Sequence, residues 1–116
     1  MREAFVAPRT LLAGSTSGLA FSPDQRFLYV IDGANHHVWI LDRQSLNVIA
    51  RFGQQGLFGG SLNVPHAIAV DGRGNIYVGE NFDARRFQRF LYKGLGTPKA
   101  GTIPPTTVIA AAAAGR

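Results

Sequence analysis

Apolar and polar positions in this chain fall into short runs that alternate with a period of two or are continuously β-rich, bounded by Gly, Pro, Asp, Asn and Ser. Between residues 19 and 92 no 3.6-residue apolar period with caps is found, which predicts no helix longer than two turns there. The runs predict strands near 19–22, 27–32, 37–42, 47–52, 67–71, 75–80 and 86–92, rich in Val, Ile, Phe, Trp and Tyr. Between the first two, Ser22-Pro23-Asp24-Gln25 is a turn in which proline presets the dihedral. Between the fifth and sixth, Asp71-Gly72-Arg73-Gly74-Asn75 turns on two glycines with permissive backbone angles. Both pairs read as hairpins, and the fold class is all-β.

The runs also repeat. Ala20-Phe21-Ser22 through Tyr29-Val30-Ile31-Asp32 is echoed by Ala69-Val70-Asp71 through Tyr77-Val78-Gly79-Glu80, with Tyr29 and Tyr77 standing 48 residues apart. Each copy has a short apolar strand, a polar turn, a returning strand that ends in an acid, and a third strand; Asn47 to Phe52 gives the first copy a fourth. Four short antiparallel strands per repeat of about 40 to 50 residues is the pattern of a propeller blade. The expected architecture is two antiparallel four-stranded propeller-type blades forming an incomplete β-propeller. Residues 1–17 are an N-terminal segment, 18–60 the first repeat and 61–96 the second. The stretch 97–116, punctuated by Pro98, Pro104 and Pro105 and ending in the run Ala110 to Ala114, is expected to be a disordered tail.

The second copy, Val64-Pro65-His66-Ala67-Ile68-Ala69-Val70-Asp71-Gly72-Arg73-Gly74-Asn75-Ile76-Tyr77-Val78-Gly79-Glu80, resembles an NHL repeat of the six-bladed β-propeller proteins. The first copy, Phe21 to Val30 with Asn35-His36-His37-Val38-Trp39-Ile40-Leu41-Asp42, resembles both the NHL and the related YVTN-type repeats. The resemblance covers residues 18–96. Six blades need roughly 250 residues, so it implies that this chain is a fragment, with residues 61–96 matching the last blade. In the family that blade is usually completed by a strand from the N-terminal part of the chain. Two blades alone leave apolar faces and strand edges unpaired, so the isolated chain is expected to self-associate.

Composition narrows the chemistry. The 116 residues are 46% apolar and 16% charged, a balance suited to one globular domain. No stretch approaches the roughly 20 apolar residues of a membrane helix, so no membrane partner is expected. The absence of cysteine excludes disulfides, thiolate metal sites and a cysteine nucleophile while leaving the compartment open. Glu3, Pro8 and Arg9 interrupt any signal-peptide core, so no targeting segment is legible and the localisation is unknown.

A net charge of +5 favours anionic partners. Its sharpest cluster, Arg85, Arg86, Arg89 and Lys93 interleaved with Phe82, Phe87, Phe90 and Tyr92, is a candidate nucleic-acid or ligand contact in which rings stack bases and cations neutralise phosphates. The competing reading places the aromatics in packing layers with the arginines snorkelling at strand edges.

His66, directly after Pro65 at the start of an inner strand, is the candidate metal ligand. A Pro-His strand start of this kind resembles that of the peptidyl-hydroxyglycine amidating lyases, in which several such histidines hold zinc. The resemblance makes zinc a cofactor only of a longer parent, because a catalytic zinc needs about three protein ligands and the matching place in the first copy is Ser17-Gly18-Leu19. The lyase tyrosine also has no counterpart here, its places being held by Ala34 and Phe82. No cofactor is expected for this chain. The alternative to a metal role is a loop histidine bonded to backbone.

His36 and His37 are neighbours that diverge in an extended chain and do not chelate together. Asp32 and Glu80 occupy equivalent positions and suit structural hydrogen bonds that tie strands. Gly53, Gly56, Gly59 and Gly60 are connector glycines without the Lys-Ser or Lys-Thr of a phosphate loop, and no nucleophile elbow is present. With no complete active site in the chain, the leading expectation is a binding or scaffolding module with a protein or small-molecule ligand. A share in a metal-dependent propeller enzyme and RNA binding through a basic face are the alternatives.

Overall fold

The computed structural model describes residues 3–7 and 15–94. Seven strands form there, with no helix among the described residues: β1 (Thr16–Phe21), β2 (Phe27–Asp32), β3 (His37–Asp42), β4 (Val48–Phe52), β5 (Pro65–Val70), β6 (Ile76–Glu80) and β7 (Phe87–Phe90). They make two antiparallel sheets of sequential neighbours, β1-β2-β3-β4 and β5-β6-β7. The expectation of four strands in each is therefore corrected for the second sheet, which has three among the described residues. Its third strand stops at Phe90, because Tyr92 turns its amide to the Asn75 side-chain oxygen at 2.9 Å and Gly94 takes a left-handed φ of 89°. The expected disordered tail, residues 97–116, lies outside the described residues.

The hairpin turns follow from side chains that replace backbone partners. Ser22 Oγ accepts the Phe27 amide and donates to Asp24, whose carboxylate also accepts the Arg26 amide. In the second copy Asp71 does this alone, accepting from the amides of Arg73 and Asn75, the Asn75 side chain and the Tyr77 hydroxyl. These bonds favour the ionised form and hold the carboxyls of Asp24 and Asp71 below the usual range.

Strand alternation then separates two faces per sheet. Phe27, Tyr29 and Ile31 of β2, Val38 and Ile40 of β3, and Ala50 and Phe52 of β4 share one buried cluster with Ile76, Val78 and Phe90 of the second sheet. Leu62 of the connector completes it, and the Phe52 and Phe90 rings meet at 5.0 Å, tilted by 58°. The two sheets thus pack face on face, with β5 lying against β1 and β2.

Candidate functional site

At the start of the first strand in each sheet the pairing slips. β1 shifts register between Thr16 and Gly18 and β5 between Pro65 and Ala67, leaving Ser17 and His66 as the extra residues. Such bulges re-aim the side chain they insert. Ser17 Oγ donates to the Pro65 carbonyl at 3.4 Å, which joins the beginnings of β1 and β5. Gly33 makes the approach possible, since a Cβ there would stand 2.9 Å from the same carbonyl oxygen. The Gly33 amide donates to the Ser15 carbonyl, and Asn81 repeats the contact on Val64.

Between these strand starts and the β2–β3 loop lies a cavity of about 350 Å³, whose lining among the described residues includes Thr16, Ser17, His36, Pro65 and His66 but no acidic residue. His66 is exposed at its edge. His36 sits in the left-handed region at φ 61°, and its Nδ1 accepts the Val64 amide at 3.0 Å. That bond fixes the neutral tautomer with its proton on Nε2, so the free ring nitrogen is a donor rather than a metal-binding lone pair. His37 is held in the opposite tautomer. Arg51 can only donate to its Nε2, at 3.0 Å, so Nδ1 carries the proton to the Gly53 carbonyl at 2.8 Å.

Among the described residues no three histidine, aspartate or glutamate side chains gather at a metal-binding spacing. Zinc titrated calorimetrically at neutral pH is therefore expected to bind this chain and His66→Ala alike. Submicromolar affinity lost in the variant is the contrary result.

Burial pushes the His36 imidazole below its ordinary value of 6.5, with the neighbouring His37 adding to the effect and Asp32 opposing it. The unfolded chain accordingly takes up a proton in the range where folded His36 refuses it. The resulting stability is present above pH 6.5 and is lost as pH falls through the folded value. Chemical denaturation repeated from about pH 7.5 downward should show this loss, and His36→Asn, which tolerates the same φ, should flatten it.

The two carboxylates at equivalent strand ends are buried and saturated. Asp32 accepts from the Asn35 amide, the Asn35 side chain and the Trp39 indole N–H, the last at 2.9 Å. Glu80 accepts from the Asn63 amide, the Gln88 side chain and Arg86, whose Nε lies 2.7 Å away. Neither carboxylate is placed for acid or base work.

The basic cluster divides. Arg86 is committed to Glu80 and to the carbonyls of Leu57, Phe58 and Ser61, clamping the connector onto the second sheet. Arg85, Arg89 and Lys93 are exposed, with Arg85 Nε donating to the Phe82 carbonyl. Of the interleaved rings, Phe90 is in the core, Tyr92 is 38% exposed, and Phe82 and Phe87 are more than two-thirds exposed. At the opposite end of the sheets a smaller cavity of about 170 Å³ separates the two hairpin turns beside Tyr29 and Tyr92. Burial, with lesser repulsion from Tyr92 and Asp24, pushes the Tyr29 phenol up to about 12, so it stays protonated.

A scan against models of known protein families gives no match to this chain, and a search of curated proteins gives none.

Proposed function

We propose that this chain is a binding module built of two NHL-type propeller blades, which takes a small ligand at the end where β1 and β5 begin, through the cavity between His36 and His66. The observation that carries the reading is the paired bulge. Two repeat-equivalent strand starts re-aim Ser17 and His66 toward one cavity whose described lining holds no acid, and where hydroxyls and an imidazole N–H face the ligand. Such a lining suits an acceptor group, a carboxylate above all.

The test is a ¹⁵N NMR titration with tri-alanine and with its C-terminal amide. Shifts at Gly33, His36 and His66 with the free acid, weakened by the amide and by His66→Ala, support the reading. Shifts confined to β7 and Lys93 overturn it. That second outcome would favour RNA binding, for which the exposed Arg85, Arg89 and Lys93 beside Phe82 and Phe87 are the supporting feature.

A further inference from the structure

The two hairpin turns differ at one aligned position, and the difference leaves a buried hydroxyl without a partner. The registers set Ala20 opposite Tyr29 and Ala69 opposite Tyr77, so Ser22 stands where the second copy has Asp71. In the second copy the Tyr77 hydroxyl donates to Asp71 at 3.1 Å. In the first, Ser22 Oγ is taken up by the Phe27 amide and by Asp24. Tyr29, only 3% exposed, therefore has no hydrogen bond for its hydroxyl among the described residues, and an unmade bond to a buried polar group is costly. Tyr29 lines the cavity of about 170 Å³ between the turns together with Asp24, Arg73 and Tyr92. After burial, the groups that act on its phenol are Tyr92 and Asp24, both on the wall of that cavity.

The wall carries opposite charges on its two sides. Asp24 belongs to the first turn, and the hydrogen bonds its carboxylate accepts from Ser22 and the Arg26 amide both fall on Oδ1, which leaves Oδ2 for a ligand. Arg73 belongs to the second turn, and its side chain has neither an ion pair nor a hydrogen bond among the described residues. Phe27 and the Tyr92 ring add apolar wall. That ring is held in place: a Cβ on Gly74 would stand 3.2 Å from it, so it lies directly on the glycine backbone, and the Tyr92 amide donates to the Asn75 side chain at 2.9 Å. We infer that this cavity binds a small zwitterion of the amino-acid class, with its ammonium on Asp24, its carboxylate on Arg73 and the Tyr29 hydroxyl, and its side chain against Phe27 and Tyr92. A simple anion would meet Asp24 and a simple cation would meet Arg73, and like charges brought together are costly. A molecule with both charges satisfies each side. The size agrees, since 170 Å³ is the liquid share of about six waters and admits an aliphatic amino acid of about six to eight non-hydrogen atoms. The site lies at the other end of the sheets from His36 and His66 and does not depend on what binds there.

A ¹⁵N NMR titration of the 116-residue chain with L-valine, N-acetyl-L-valine and L-valine methyl ester tests this, at about pH 6.5 so that the ester keeps its amine protonated. L-Valine should shift the amides of Asp24, Gly72 and Gly74 saturably, and each blocked form, lacking one charge, should bind at least about tenfold more weakly. Tyr29→Phe keeps the ring, removes the hydroxyl and should weaken valine about tenfold. Arg73→Gln, at an exposed side chain, should weaken valine to the level of its ester while leaving the affinity for the ester unchanged, a split that loss of structure does not produce. The inference is overturned by the absence of saturable shifts at Gly72 and Gly74, by equal binding of the three compounds, or by either variant binding valine as its parent does. Shifts at Gly33, His36 and His66 in place of Gly72 and Gly74 overturn it too, and assign the zwitterion to the other cavity.

Discussion

Arg86→Ala is expected to destabilise the protein by about 3–5 kcal/mol, most of the stability available to a domain of this size. The Glu80 side chain is fully buried, whereas that of Arg86 is 28% exposed, so truncation strands the carboxylate and not the cation. Among the described residues the Asn63 amide and the Gln88 side chain then remain to Glu80. The Leu57 carbonyl loses the Arg86 donor at 2.6 Å in the same step, while the Phe58 carbonyl keeps the Ser61 amide and the Ser61 carbonyl keeps the Gln88 side chain. An unmade bond to a buried polar group costs more than a made one contributes, so the loss exceeds that of a surface ion pair. Arg86→Lys should recover less than half, since one ammonium cannot supply the planar fork that reaches a carboxylate and three carbonyls together. Urea denaturation of the three proteins measures this. A loss below about 1 kcal/mol for Arg86→Ala would place the pair among solvent-screened surface bridges.

This clamp is also the clearest case of what the sequence hides. Glu80 is legible as a structural carboxylate from its equivalence with Asp32, and Arg86 as one member of a basic cluster. What joins them to the connector is a set of carbonyls 25 to 29 residues earlier in the chain, and a carbonyl carries no residue signature. Strands and hairpins are legible because alternation and turn chemistry act over a few residues. Even so, Gln25 takes a φ of 60° where the second turn has Gly74, so a residue with no turn signature occupies a left-handed position. The cavity is half legible. His66 stands out after Pro65, but its companion His36 reaches the same space only through a left-handed backbone and an amide 28 residues away. The repeat equivalence, visible as Tyr29 and Tyr77, gains its meaning only with the registers, which convert a sequence echo into a residue-by-residue match of the two sheets.

Ile40→Ala should cost about 2–5 kcal/mol and should do so in both sheets at once. Ile40 is fully buried at the centre of β3, paired with Tyr29 on one side and Ala50 on the other, and its side chain belongs to the cluster shared with Ile76, Val78 and Phe90. Truncation removes apolar atoms from water-free packing and leaves a void that seven strands of backbone hydrogen bonds resist closing. Val48→Ala, on an edge strand with Val48 45% exposed, is the matched control and should cost well under about 1 kcal/mol. Trp39, the single tryptophan, reports the first sheet by fluorescence, and amide exchange at Val78 reports the second. Because the void lies between the sheets, the Trp39 midpoint and the Val78 protection should fall by the same free energy. A drop at Trp39 with Val78 unchanged would mean that each sheet holds itself together and that the shared cluster does not couple them.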